Sequence, residues 1–110
     1  MKKILALSLL VSAFMAGSAY AATAADNWDN NCAKCHGADG SGNCKMGKKL
    51  KVKDYTDASV QAGLKDEDMT KAIKDGVKDD AGKDRMKAFK DDLSDAEVTD
   101  LVAAIRKMKK

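Results

Sequence analysis

The sequence predicts an all-α domain of three to five helices behind a short apolar leader. Apolar residues recur at helical spacing, most clearly Val98, Leu101, Val102, Ile105 and Met108 at i, i+3, i+4, i+7 and i+10. No stretch alternates apolar and polar residues long enough to make a strand. Cap-forming polar residues and stop-forming glycines punctuate the chain, and proline is absent.

The leader comes first. Lys2 and Lys3 precede an apolar run from Ile4 to Ala16, and Ala19-Tyr20-Ala21 supplies a small-x-small cleavage pattern. These are the parts of a secretory signal peptide, so residues 1–21 are expected to be removed and residues 22–110 to form the domain. The run is shorter than the ~20 residues that cross a bilayer. Reading it through to Ala25 as an uncleaved anchor has to accommodate Ser12, Ser18 and Thr23. No cysteine follows the apolar run to take a lipid. The expected location is the periplasm, with no stable membrane insertion after cleavage.

Losing Lys2 and Lys3 leaves 18 basic residues against 17 acidic ones, and that balance excludes a nucleic-acid binder. A domain this small buries only about 60–65% of its unfolded surface. Beyond the leader its aromatic residues are Trp28, Tyr55 and Phe89. Three cysteines allow at most one internal disulfide, so a large apolar cofactor is the other way to enlarge the core.

Within the domain, Thr23 and Asp26 mark a first helix start. Trp28, Cys32 and Cys35 then share one helical face, until Gly37, Gly40 and Gly42 open a loop. Asp57 is expected to cap a short helix reaching Gln61, and Asp66 a second in which Met69, Ala72 and Ile73 share a face before Gly76 stops it. Residues 77–85 read as polar loop. Ser94 and Glu97 form a capping box for the last helix, and Arg106, Lys107, Lys109 and Lys110 suit the negative end of its dipole.

The chemistry concentrates in CAKCHGADGSGNC, residues 32–44, with all three cysteines and the single histidine. Cys-x-x-Cys-His is the pattern of covalent haem attachment. Two thiols three apart on a helical turn can bond two vinyl groups on one porphyrin edge, and the adjacent His36 can reach the iron. A closed zinc site is the second reading, with Cys32, Cys35, His36 and Cys44 as four ligands, but adjacent residues wrap one small ion poorly and a second ligand pair is missing. A thioredoxin-type pair is the third, without the βαβ pattern it needs. A disulfide from Cys44 to one of the pair is the fourth. Asp39, Ser41 and Asn43 have calcium-loop spacing, but Cys44 and Leu50 stand where that loop needs Gly and Glu.

Haem iron takes a second axial ligand or keeps an open face. With one histidine, the choices are methionine, lysine, the amino terminus or nothing. Met1 and Met15 belong to the leader, Met46 lies near the histidine in sequence, and Met69 and Met108 occupy apolar helix faces where methionine fills cores. Met86 sits in the charged stretch Asp84-Arg85-Met86-Lys87 before the last helix and is the expected distal ligand.

CAKCHG at 32–37, ADGSGN and MGKKL after it, and RMKAF followed by LSDAEVTDLVAAIRKMKK make nearly all of the domain resemble the small bacterial monohaem class I c-type cytochromes. The resemblance implies a cytochrome c-like fold around one covalent haem c, with the first and last helices packed across each other. It implies Cys32 and Cys35 as thioether anchors and His36 and Met86 as axial ligands. It also implies a one-electron carrier rather than an enzyme. The sequence departs from the family pattern in three places. Lys87, not proline, follows Met86; no proline follows the haem motif to offer His36 a carbonyl; and Ala104 stands where an aromatic is usual.

The expected function is a soluble periplasmic carrier shuttling one electron between redox proteins. The alternatives are a haem subunit of a larger redox enzyme, or a ligand-binding haem sensor with a labile Met86, in which Arg85 would be the polar distal group. Lys45, Lys48, Lys49, Lys51 and Lys53 could steer acidic-surfaced partners, or form a solvated loop balanced by Asp54, Asp57 and Asp66. The expected state is a monomer. Cys44, read as a surface thiol, is the one point at which a disulfide dimer could form.

Overall fold

The computed structural model describes residues 22–110. The signal peptide at 1–21 and its cleavage after Ala21 lie outside the described residues. Six helices and one small hairpin follow in order: α1 (Ala24–Asn31), α2 (Ala33–His36), α3 (Lys45–Leu50), α4 (Ala58–Ala62), α5 (Asp66–Asp75), β1 (Val77–Lys78), β2 (Asp84–Met86) and α6 (Asp95–Arg106).

The all-α expectation holds, with two corrections to its detail. Among the described residues there are six helical segments where three to five were expected, because the first helix is split at Cys32 into α1 and α2, and α3 lies in what read as loop. Residues 77–85 are not all loop. β1 and β2 pair antiparallel, Val77 opposite Met86 and Lys78 opposite Asp84. Asp79 closes their turn by accepting from the Ala81 and Lys83 amides, both at 2.9 Å.

The core gathers on α6. Val98 and Leu101 are fully buried, and Val102 and Ile105 nearly so. This is the predicted stripe, and α6 packs against both α1 and α5. Trp28 on α1, Met69 and Ile73 on α5, and Phe89 and Leu93 from the segment before α6 complete the cluster. The predicted contact between first and last helices is made. It is fastened by buried Asn27, whose Nδ2 donates to Glu97 Oε2 at 2.8 Å. Glu97 also completes the capping box with Ser94. Met108 falls just beyond the end of α6 and packs against the core.

The other caps follow the sequence closely. Thr23 accepts from the Asp26 amide and Asp57 from the Ser59 amide. For α5 the cap position falls on Lys65, so Asp66 is instead the first helical residue. There it favours the helix dipole and binds Arg106 at 2.8 Å. Arg106 also donates to the carbonyls of Gln61 at 2.7 Å and Leu64 at 2.6 Å, tying α6 to the loop between α4 and α5.

Candidate metal centre

The helix expected to carry Trp28, Cys32 and Cys35 on one face is interrupted. Cys32 takes φ −119° and ψ −39°, ending α1 and starting α2. Trp28 and Cys32 remain buried, while Cys35 and His36 are half-buried on the short second turn.

The following loop covers the carbonyls of that turn. The Gly42 amide donates to His36 O at 2.7 Å, and Trp28 Nε1 donates to Gly37 O at 2.9 Å. Cys44 donates through Sγ to Cys35 O at 3.2 Å and to Lys34 O at 3.4 Å. Cys44 is therefore half-buried and engaged, a correction to its reading as a surface thiol. Both acceptors of its thiol lie on α2. Gly47 lets α3 lie against α2: a Cβ there would fall 2.3 Å from Gly42 O and 2.5 Å from Cys35 O.

His36 opens onto a cavity of about 320 Å³ whose apolar walls are Leu64, Met69, Ala72, Ile73 and Ile105. Leu50, Val52 and Tyr55 line it from the α3 side, and Val77, Arg85 and Met86 from the hairpin. His36 and Met86, paired by ligand elimination, thus face one space. Met69, expected as core, fills the core and also borders the cavity. Met46 is not among the lining residues. Arg85 donates to Leu50 O at the end of α3, bridging the hairpin to α3 beside the cavity. Gly76 holds the hairpin close, since a Cβ there would fall 2.6 Å from Met86 O.

The electrostatics suit a soft, neutral donor set. Burial lowers the His36 pKa, favouring the neutral imidazole that metals bind. Burial, and secondarily the neighbouring Cys35, push the Cys32 thiol up to about 11. All three cysteines are free. His36 Nδ1 is buried without a hydrogen-bond partner among the described residues, which leaves Nε2 as the less enclosed nitrogen of a ring that borders the cavity. Cys32 and Cys35 are not among the lining residues, but they are free and close to His36 in the chain; with apolar walls and both His36 and Met86 on the cavity, the residues present fit a flat apolar macrocycle with iron at its centre. Asp39 and Ser41 serve the loop itself, accepting from the Ser41 and Asn43 amides.

Sequence reasoning missed the cavity residues Tyr55, Leu64 and Val77. Tyr55 carried a usable signal, as one of only three aromatics in the domain. Leu64 and Val77 carried none, being single apolar residues in polar stretches.

Residues 19–103 match the family described as cytochrome c oxidase, cbb3-type, subunit III. A solved structure named KustC0563 c-type cytochrome superposes with a TM-score of 0.67 at 31% identity, covering 81% of this chain and 100% of its own. No curated protein matches the chain. The family match spans most of the sequence, and the structural match reaches the whole of the other cytochrome. The chain belongs to the cbb3-type cytochrome c oxidase subunit III family, and is a small monohaem c-type cytochrome that carries covalently bound haem c and transfers electrons.

Proposed function

We propose that this protein is a periplasmic one-electron carrier in which Cys32 and Cys35 anchor the haem and His36 and Met86 are its axial ligands. One observation carries the reading: His36, which closely follows the free Cys32 and Cys35 in the chain, and Met86, far away in sequence, line the same largely apolar cavity. The haem supplies an iron that accepts one electron from a donor protein and passes it to an acceptor.

The chain's own residues do the rest. Cys32 and Cys35 would hold the haem as thioethers, each by addition of its S–H across a vinyl group with no atom lost. His36 presents Nε2 from a turn whose carbonyls are already satisfied. Met86 offers a soft thioether, and the walls formed by Leu64, Met69, Ile73 and Ile105 exclude water; both favour the reduced iron and a raised potential. The Arg85 side chain is committed to Leu50 O, which argues against its acting as the polar distal group of a ligand sensor.

Partner choice falls to the lysines. Lys51 and Lys53 border the cavity, and Lys45, Lys48 and Lys49 are exposed beside it on α3. None of the five joins an ion pair among the described residues. Of the three acids that could balance them, Asp66 is paired with Arg106, while Asp54 and Asp57 bond the neutral Thr56 and Ser59 and set two charges against five. That leaves a positive rim suited to an acidic-surfaced redox protein.

A second reading has one observation in its favour. The matching family is named for an oxidase subunit, which supports a haem subunit docked in a larger enzyme. Among the described residues no helix is long and apolar enough to cross a membrane.

The visible spectrum of the exported protein tests the proposal. A c-type haem with a ferric methionine–iron charge-transfer band supports His/Met ligation. A high-spin ferric spectrum with rapid binding of small ligands overturns it. Co-purification of a stoichiometric oxidase complex would replace the free carrier with the subunit.

A further inference from the structure

We propose that Trp28 and Tyr55 are positioning residues that fix the plane of the His36 imidazole, in place of a hydrogen bond at Nδ1. The inference rests on His36 being an iron ligand. A metal-binding histidine is usually held by its second nitrogen, which donates to a carbonyl or carboxylate and so sets both tautomer and ring rotation. Here Nδ1 is buried and has no partner. The backbone of α2 fixes only where the side chain starts, so something else must stop the ring from turning.

Two aromatic rings are in place to do so. Tyr55 lies stacked with the imidazole, centroids 5.4 Å apart and planes 23° apart. Trp28 lies 5.6 Å away at 42°. Both distances fall in the range where aromatic pairs attract with a preferred geometry. The Trp28 ring and the Tyr55 backbone are themselves anchored. Trp28 Nε1 donates to the carbonyl of Gly37, the residue next to His36, at 2.9 Å, so indole and imidazole are tied to the same turn. The Tyr55 amide donates to Gly40 O at 2.9 Å, and its carbonyl accepts from buried Gln61 at 2.8 Å. Gln61 donates in turn to Ile105 O on α6 at 2.8 Å. A chain of bonds therefore runs from the core helix to the backbone of Tyr55, and packing of its half-buried ring against the core holds the ring that faces the imidazole. Rotating His36 would cost both aromatic contacts without gaining an acceptor for Nδ1.

The chain has a single histidine, so selective nitrogen-15 histidine labelling of the holoprotein reports on His36 alone. Hyperfine-shifted His36 nitrogens in the ferric native protein establish iron ligation; unshifted ones would sink the ligand assignment, and this inference with it. Given ligation, the pattern of haem-methyl and His36 nitrogen shifts reads the ring orientation. Tyr55→Phe keeps the stacked ring and should leave the pattern unchanged. Tyr55→Leu should change it, as should Trp28→Phe, which loses the bond to Gly37 and does not border the cavity. If Tyr55→Leu gives no holoprotein, Tyr55→Met keeps most of the buried volume without a ring and is read by the same criterion. A native pattern in the ring-less Tyr55 variant, with only a loss of stability, overturns the inference while leaving His36 as ligand. So does a coupling from His36 Nδ1 to a carbonyl carbon across a hydrogen bond.

Discussion

Asn27 Nδ2 donates to Glu97 Oε2 at 2.8 Å, so one buried amide joins the first helix to the capping box of the last. Asn27→Ala removes that donor and should cost about 1–2 kcal/mol in urea unfolding at neutral pH. The Asn27 bond is also the main reason the Glu97 carboxyl lies below its usual range. A depressed carboxyl gives stability that is present above its ordinary pKa of about 4.3 and lost as pH falls through its lower folded value. The gap between native protein and variant should therefore narrow in acid.

Gly47→Ala tests the close contact of α3 with α2. The new methyl would meet two backbone carbonyl oxygens, neither of which can swing aside as a side chain would. The strain should cost about 1–3 kcal/mol. Because the contact covers Cys35 O, the yield of holoprotein should fall with it. Thermal unfolding and the ratio of haem to protein check both effects.

Met86→Ala should abolish the ferric methionine–iron charge-transfer band, and Met46→Ala should leave it intact. Met86 borders the cavity and Met46 does not. The reverse result would transfer the distal role to the α3 side.

Cys44 has its thiol directed at the Cys35 and Lys34 carbonyls. The protein should run as a monomer on non-reducing electrophoresis, and a reductant-sensitive dimer would show that this contact opens in solution.

Much of this was legible because the signals were local. The Ser94–Glu97 box and the stripe from Val98 to Ile105 each lie within a few turns of one helix, and both read true. Spacing alone singled out Cys32, Cys35 and His36 as the proposed anchors and ligand. Met86 was placed by eliminating the other methionines, and the fold brings it to the same cavity as His36. What escaped was set by distant contacts. The hairpin strands have two and three residues, too few for alternation to show, and their pairing depends on the Asp79 turn. The Met46 segment read as loop because Gly47 weakens a helix; the helix forms because only glycine fits against the Cys35 carbonyl. The Trp28–His36–Tyr55 contact joins three separate segments, and no window of sequence contains it.

The interrupted helix at Cys32 has a kinetic consequence. Cys32, Cys35 and His36, the proposed thioether anchors and proximal ligand, lie on or next to the single turn of α2, and the carbonyls of that turn are covered by loop residues only a few positions further on. This half of the site has low contact order and can assemble while most of the chain is still open. The Met86 side closes the longest loop in the site and depends on the hairpin, the Arg85 bridge and α6. Its closure carries the larger entropic cost. Maturation can thus proceed from the near side of the iron outward, and partial unfolding should run in the opposite order, releasing the methionine long before the histidine.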